Sequence, residues 1–409
     1  DIDGINPDLI TRKKWFNGFD HQPDSDSARW LDALSKATLV KVSPTVDAII
    51  VDQPTDNMIF DIGPASNQIF VRDFYPDLFG LIRKTRRAVL SGNPGVGKSY
   101  FQQYYLARLL NPTLFGALPP DCFGSCEPPK VVIRQVGAEK MIIFDIQNRK
   151  AERIDRGTAG VLECFDPKTS LYLMEPGKSL IEPHYEGLSI PTLSTVSPDI
   201  RRYKEFCKNG AVKFYLPQYK LEELLAIGKN MLDSGAIHDP ELCALYTPGR
   251  IGERFDEFKG IMRHVLPNSA AALHQARAET VTAIEDCNAE ALLRSGNPEN
   301  PMVSHFVMQY DVEREGARRF VQFGLNFTSE HIRLQLEKKM LALDINYKIT
   351  ALIKNDEVQS FMPEACPKIY EDVIWHHLTS SNKVQWQQRV VDTSIKGQPS
   401  AQTETVTDW

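Results

Sequence analysis

The chain has 409 residues and a formal net charge of -6, with 42% hydrophobic and 24% charged residues. This length predicts two or three domains, and the composition is that of an ordinary globular protein rather than a disordered one. The net acidity argues against a surface that binds polyanions everywhere, so a nucleic-acid site would have to be a local basic patch.

The cysteines and the chain ends say little about chemistry. Seven cysteines are scattered along the chain, and the close pair Cys122 and Cys126 lacks a second Cys or His pair at zinc-site spacing. We interpret them as reduced thiols of an intracellular protein.

No apolar run approaches the length of a membrane span, so we expect no membrane partner. Asp1 is neither an initiator Met nor followed by an apolar leader, which predicts a fragment or a trimmed chain.

The first 65 residues show no recognisable chemistry. We predict a helix over 28–37 and short strands over 39–42 and 48–51.

A strand over 69–75 then runs into a helix over 76–84. A basic cluster follows, made of Arg83, Lys84, Arg86 and Arg87. We interpret it as a solvated helix end, with a DNA contact as the alternative.

A glycine-rich stretch organises the rest of the chain. Val89 and Leu90 lead into a sequence of the form G-x-x-x-x-G-K-S, and a helical pattern follows. Strand, glycine loop and helix in this order are the context of a phosphate-binding loop. Its glycines let backbone N–H groups turn toward phosphate oxygens, and the helix adds the positive end of its dipole. The predicted nucleotide-binding residues are Gly92, Asn93, Pro94, Gly95, Val96, Gly97, Lys98, Ser99 and Tyr100.

Two side chains of this loop have specific predicted roles. Lys98 can reach the β- and γ-phosphates of a nucleotide, and the Ser99 hydroxyl can be a ligand of Mg²⁺. The pattern therefore predicts a nucleoside triphosphate and Mg²⁺ as cofactors. A purely structural glycine loop is the alternative.

The segments after the loop predict an α/β protein with a mostly parallel sheet. Residues 131–136 and 141–146 predict a β-hairpin, which we expect to be an insertion or an added edge. Two further strands are predicted over 304–311 and 319–323. The predicted segments are an N-terminal region (1–65), a nucleotide-binding core (66–235), a helical lid (236–300), a small mixed α/β region (301–365) and a C-terminal stretch (366–409).

Hydrolysis would also need an acid for the metal or for water. Glu175 ends a predicted strand over 171–175, and Pro176 follows it, so the strand end carries one acid. Glu175 can hold the metal or act as base, and an exposed strand-end acid is the alternative. Weaker candidates are Asp145, Glu182 and His184.

The transferred phosphate would further need a polar sensor and a cation. Ser197 stands at the end of the next predicted strand, where it can sense the γ-phosphate; an ordinary strand-end serine is the alternative. The candidate cations are Arg201, Arg202 and Arg263.

An ordered series of landmarks resembles the Crinkler effectors and the related retrotransposon hot spot proteins. These eukaryotic proteins have a P-loop ATPase followed by a nuclease-like domain. The series consists of I-F-V-R-D-F-Y at 69–75, the loop at 91–99, L-Y-L-M-E at 171–175, T-V-S-P at 195–198, F-Y-L-P with L-E-E-L across 214–224, and K-G-I-M-R at 259–263. Four positions depart from the family pattern: Glu175 replaces Asp, Tyr219 replaces Trp, Lys259 replaces Gly and Met262 replaces Pro.

The resemblance, which runs from about 69 to 340, implies a P-loop NTPase of the AAA or STAND type. It implies ATP as the nucleotide, and a catalytic set of Lys98, Glu175 and Arg263, with Arg263 as the arginine sensor. It also implies a homo-oligomer, DNA as a partner and a secreted virulence effector that acts in a host nucleus. The helix predicted over 369–378, with Glu371, His376 and His377, resembles the start of the nuclease-like domain, whose metal site the chain does not complete.

Several functions stay open on the sequence. An ATPase that drives or gates a nuclease is the first interpretation. An ATP-binding switch with little turnover, a DNA-binding effector with a structural nucleotide fold, and a small-molecule kinase are the alternatives.

Overall fold

The computed structural model describes residues 5–51, 67–118, 128–137, 140–155, 159–176, 189–288 and 304–341, together with Glu371. The chain forms two compact units, one of residues 1–288 and 297–333 and the other of residues 289–296 and 334–409. The five segments predicted from sequence stay predictions. Within the described ranges, no helix is long and apolar enough to cross a bilayer.

Strands and helices alternate along most of the described chain. The strands are β1 (His21–Pro23), β2 (Thr38–Lys41), β3 (Val46–Ile50), β4 (Gln68–Arg72), β5 (Arg87–Ser91), β6 (Val131–Val136), β7 (Lys140–Asp145), β8 (Lys150–Asp155), β9 (Ser170–Glu175), β10 (Thr192–Thr195), β11 (Val212–Tyr215), β12 (Met308–Val312) and β13 (Phe323–Phe327). The helices are α1 (Lys13–Phe16), α2 (Ser25–Ser35), α3 (Tyr75–Ile82), α4 (Lys98–Leu110), α5 (Pro112–Phe115), α6 (Ala159–Leu162), α7 (Lys204–Lys208), α8 (Leu221–Asp233), α9 (Pro240–Leu245), α10 (Pro248–Phe258), α11 (Met262–Val265), α12 (Ala270–Asp286) and α13 (Glu330–Leu341).

A large, mostly parallel sheet confirms the predicted α/β class. Its eight strands lie in the order β1-β8-β7-β6-β9-β10-β5-β11. The five strands β6, β9, β10, β5 and β11 run parallel to one another. One strand, β10, therefore separates β5, which leads into the glycine loop, from β9, which ends at Glu175.

The prediction of an inserted hairpin was wrong in one respect. Strands β6 and β7 do pair in antiparallel fashion, but β6 is itself one of the five parallel strands. The antiparallel edge consists of β7, β8 and the short N-terminal β1. The sequence could not reveal this, because the apolar run that opens β6 is compatible with either a parallel or an antiparallel neighbour. The strand predicted over 319–323 is also displaced, because the observed strand β13 spans Phe323–Phe327.

Apolar strands and an aromatic helix form the main core. The centre of β5 is fully buried, and α4 packs Phe101, Tyr104 and Tyr105 out of solvent. All residues over 101–107 are buried, so this helix is covered on more than one face. Tyr104 and Tyr105 contact Phe79 of α3, which fixes α4 against the element that precedes the glycine loop.

A smaller antiparallel sheet, β2-β3-β4, packs against the helices that follow the large sheet. Val46, Ala48 and Phe70 share one buried cluster with α8, α10 and α11. Helices α8 and α10 approach closely at Gly228, where an added Cβ would lie 2.6 Å from Ile251 Cδ1. The helices over 240–286 thus pack against the small sheet, whose last strand, β4, precedes α3 and β5 in the chain.

Candidate functional site

The glycine loop joins β5 to α4 and turns at glycines that cannot carry a side chain. Gly95 and Gly97 have φ of 81° and 96°, a region that L-residues rarely adopt. A Cβ on Gly95 would lie 2.9 Å from Arg263 Cβ, and one on Gly97 would lie 3.0 Å from the Tyr219 hydroxyl. The loop is therefore shaped by its own glycines and by two residues far along the chain.

Lys98 folds back onto the loop. Its Nζ donates to the carbonyls of Gly92 at 2.8 Å and Asn93 at 3.0 Å. Burial lowers the pKa of Lys98 to about 7; the Glu175 carboxylate opposes this shift, whereas Arg263 and Arg202 add to it. Among the described residues, the hydrogen-bond partners of this desolvated cation are two neutral carbonyls, and a phosphate would supply an anionic partner.

Ser99 and Glu175 meet beside the loop. The Ser99 hydroxyl donates to the Glu175 carboxylate, at 3.0 Å from Oε1 and 3.2 Å from Oε2. Mg²⁺ typically takes one or two protein oxygens and completes its shell with phosphate and water, so this hydroxyl and carboxylate fit the ion. The described residues contain no group of three or more His, Cys, Asp or Glu that could hold a metal.

Arg134 is a site residue that the sequence reasoning missed. It lies on β6 with 3% of its side chain exposed, and its Nη2 is 3.5 Å from Glu175 Oε2. Burial lowers the pKa of Arg134 to about 10, against the opposing effect of Glu175. An arginine in the middle of the apolar strand V-V-I-R-Q-V was the available signal, because a buried charge needs a partner.

The predicted sensor Ser197 and the predicted cations have different positions relative to the glycine loop and the end of β9. Ser197 lies two residues after the end of β10 and is half-buried. Thr195, the last residue of β10, accepts a hydrogen bond from Gln102 Nε2 of α4 at 2.7 Å. Arg263, in α11, is exposed and lies against Gly95. Arg202 donates to the Pro176 carbonyl at 3.3 Å, just past the strand end that carries Glu175. Arg201 pairs instead with Asp199, at 2.7 Å.

The weaker acid Asp145 does not join the site. Its register partner on β6 is Val131, whereas the partner of Glu175 is Val136, so the two acids lie at opposite ends of β6. Glu371 is described only as an exposed helical residue. The other candidates Glu182, His184, His376, His377, Cys122 and Cys126 lie outside the described residues.

The side chain of Asn93 holds the loop to a strand more than two hundred residues away. Asn93 is 1% exposed; its Nδ2 donates to the Tyr310 carbonyl at 3.2 Å, and its Oδ1 accepts from the Tyr310 N–H at 3.1 Å. The side-chain amide of Asn93 thus bonds to the backbone N–H and carbonyl of Tyr310 in β12, as the backbone of a neighbouring strand would. The backbone of Asn93 can therefore contact a nucleotide, whereas its side-chain amide is already hydrogen-bonded to Tyr310.

The segment before β12 passes close to Lys98. Burial lowers the pKa of His305 to about 4, and the charges of His264, Lys98 and Arg263 contribute to that shift. The rings of His305 and Phe306 are 4.5 Å apart, and Phe306 also contacts His264 of α11. Residues predicted to lie in two separate segments therefore flank the same loop.

A buried ion pair joins β4, the strand that precedes α3 and β5, to α8. Arg72 of β4 bonds to Glu223 Oε2 at 2.9 Å and to the Pro217 carbonyl at 2.6 Å, and its guanidinium lies 3.9 Å from the centre of the Tyr219 ring. The opposing charge of Arg72 helps to lower the pKa of Glu223 against the effect of burial.

Two neighbouring residues between α10 and α11 have backbone surroundings that suit glycine. A Cβ on Gly260 would lie 2.1 Å from the Tyr219 carbonyl oxygen, so this position tolerates only glycine. Lys259 has φ 52° and ψ -144°, a region favourable only to glycine. It is the position at which the Crinkler pattern has a glycine and this chain departs from it.

Comparisons with known proteins add little. No protein-family model matches the chain, and no curated protein matches it. Among solved structures, the ADP complex of Hsp104 from S. cerevisiae matches with 12% identity and a TM-score of 0.26, over 75% of this chain and 38% of that one. The chain thus spans less than half of that protein, and at this TM-score the likeness does not establish a shared fold.

Proposed function

We propose that this protein binds ATP with Mg²⁺ at the loop 92–99 and hydrolyses it slowly. One observation carries the proposal: Lys98 and Arg263 contact a loop of turned glycines beside a paired hydroxyl and carboxylate, and Arg202 bonds to the residue that follows Glu175. Three cations and the N-terminus of α4 complement the charge of a triphosphate. The position of β10 between β5 and β9 supports a P-loop NTPase of the AAA type.

Each residue has a role in this proposal. The loop backbone and Lys98 hold the phosphates, and Ser99 and Glu175 hold Mg²⁺, which supplies charge stabilisation to the transferred phosphoryl group. Arg263 lies against Gly95 of the loop and would orient the terminal phosphate. Ser197 sits at the end of the intervening strand and is the candidate γ-phosphate sensor.

A switch with little turnover is the second candidate, and a specific observation favours it. Glu175 is already bonded to Ser99 and faces Arg134, so it is poorly placed to deprotonate water. The next residue is Pro176, which provides no second acid. ATP would then stabilise one state of the loop and of the strands attached to it.

Phosphate release from ATP with Mg²⁺ distinguishes the two candidates. We expect slow release by the wild type, and at least a tenfold loss in Lys98→Ala and in Glu175→Gln. Matched controls are Lys208→Ala and Glu205→Gln, which change an exposed ion pair on α7. ATP binding without measurable release by the wild type would refute hydrolysis and support the switch.

The resemblance also supports a proposed cellular role. A Crinkler-type effector would couple ATP to action on DNA in a host nucleus, and would act as a homo-oligomer. Sedimentation of the chain with and without ATP and Mg²⁺ tests the assembly. A monomer under both conditions would contradict it.

A further inference from the structure

Strand β12 contacts both sides of the proposed phosphate site. On one side, its residue Tyr310 bonds through the backbone to the side-chain amide of Asn93 in the glycine loop, at 3.1 and 3.2 Å. On the other side, the preceding residue Gln309 donates from Nε2 to the Phe258 carbonyl at 3.5 Å. Phe258 is the last residue of α10, and Arg263 follows in α11. Two adjacent residues of one strand therefore hold the glycine loop and the helix end that precedes Arg263.

The side chain of Gln309 reaches the turn between α10 and α11 by a second route. Its Oε1 accepts from Gln218 Nε2 at 2.6 Å, and the next residue, Tyr219, donates its backbone N–H to the Gly260 carbonyl at 3.1 Å. Gln309 is 3% exposed, and its carboxamide offers both a donor and an acceptor, which the two routes require. A helix leaves its last carbonyls without partners inside the helix, so the Gln309 donor also caps the end of α10.

The turn that Gln309 holds lies against the glycine loop. A Cβ on Gly95 would lie 2.9 Å from Arg263 Cβ and 3.0 Å from Ile261 Cγ2. A Cβ on Gly260 would lie 2.1 Å from the Tyr219 carbonyl oxygen, so the turn is closely packed on its other side as well. Because close-packed interiors transmit strain, a change at Gln309 would displace Arg263 relative to the loop.

The hairpin of β12 and β13 is itself anchored to the large sheet and to α3. In the connection between its strands, the Phe320 carbonyl accepts from the backbone N–H of Tyr215 in β11 at 2.7 Å. Arg319, in the same connection, bonds to the Asp77 carboxylate of α3 at 2.5 and 3.0 Å. The hairpin therefore gives the glycine loop and the turn before Arg263 one common support.

We propose that Gln309 is a positioning residue for Arg263. Its side chain holds the turn between α10 and α11 at the distance from the glycine loop at which Arg263 reaches the terminal phosphate of ATP. This inference rests on the proposed function, because it concerns the same site. Placement of this kind has large effects, since a misplacement of about 1 Å can cost about a hundredfold.

Titration calorimetry with ATP and with ADP, each with Mg²⁺, tests this proposal. The test variant is Gln309→Met, which keeps an unbranched side chain and removes both hydrogen bonds; the matched control is Gln322→Met, at an exposed position of the same hairpin. We expect Gln309→Met to bind ATP about tenfold more weakly than the wild type, and ADP within about twofold of it, because ADP lacks the phosphate that Arg263 would contact. The control should match the wild type with both nucleotides.

A double-variant cycle separates positioning from a general loss of structure. In an Arg263→Ala background, Gln309→Met should change ATP affinity by less than about twofold, because both changes act through one contact. Gln218→Met removes only the second route and changes a half-buried side chain, so it replaces Gln309→Met if that variant does not fold. It should weaken the binding of ATP and leave the binding of ADP unchanged.

Three results would overturn the proposal while leaving the proposed function intact. They are wild-type ATP affinity in Gln309→Met, equal weakening of ATP and ADP binding, and an undiminished effect in the Arg263→Ala background. The second and third are what a purely structural role would produce. Absence of ATP binding by the wild type would refute the proposed function, and this inference with it.

Discussion

The replacement Asn93→Ala tests how the glycine loop is held in place. The amide of Asn93 bonds to both backbone groups of Tyr310, at 3.2 and 3.1 Å, in a fully buried position. Alanine removes both partners, and each deprived backbone group costs about 1–3 kcal/mol. We therefore expect the free energy of unfolding to fall by roughly 2–6 kcal/mol, with nucleotide affinity reduced because the loop loses its hydrogen bonds to β12.

Urea denaturation of Asn93→Ala, Asn93→Asp and Asn326→Ala measures this effect. Asn326 lies on β13 of the same hairpin, but it is exposed and bonds to the Asp311 side chain, so its loss should cost well under 1 kcal/mol. Aspartate keeps the acceptor and loses the donor, and it adds a negative charge beside bound phosphates, so it should bind ATP more weakly than alanine does. Equal stability of Asn93→Ala and Asn326→Ala would refute the reasoning.

Three further predictions concern the residues around the loop. Burial lowers the pKa of Lys98 to about 7, so binding of ATP at pH 8 should restore the charge of this lysine and take up nearly one proton, whereas proton uptake at pH 6 should be small. Calorimetry in buffers of different ionisation enthalpy measures the proton uptake. No proton uptake at pH 8 would contradict the prediction. Gly260→Ala should unfold the protein or lower its melting midpoint strongly, because its Cβ would overlap Tyr219. Arg72→Met should cost about 3–5 kcal/mol by leaving Glu223 buried without its main partner; a loss below 1 kcal/mol in urea denaturation would contradict this.

Local patterns predicted the parts of the site that are contiguous in sequence. Glycine spacing predicted the loop, and an apolar run that ends in an acid predicted Glu175 at a strand end. The order of apolar strands also predicted a mostly parallel sheet. Each of these signals depends on neighbours within a few residues, and for that reason each can be read without the fold.

Partners that meet only in the folded chain could not be predicted. Arg134 reaches Glu175 because β6 and β9 are adjacent, and no spacing rule encodes that adjacency. Asn93 was expected to face the nucleotide, but its amide pairs with Tyr310 across 217 positions of sequence. Arg86 was interpreted as part of a solvated helix end, and its hydrogen bond to the Ser189 carbonyl, more than a hundred residues later, is a further contact that depends on the fold.

Equilibrium binding of ATP with Mg²⁺, measured by titration calorimetry, tests the central claim most directly. Lys208→Ala is the matched control for Lys98→Ala, because Lys208 is exposed and far along the chain from the loop. We predict saturable binding at one site by the wild type and the control, and at least a hundredfold weaker binding by Lys98→Ala with an unchanged unfolding midpoint. No binding by the wild type, or equal binding by Lys98→Ala, would contradict the assignment of the loop as a nucleotide site.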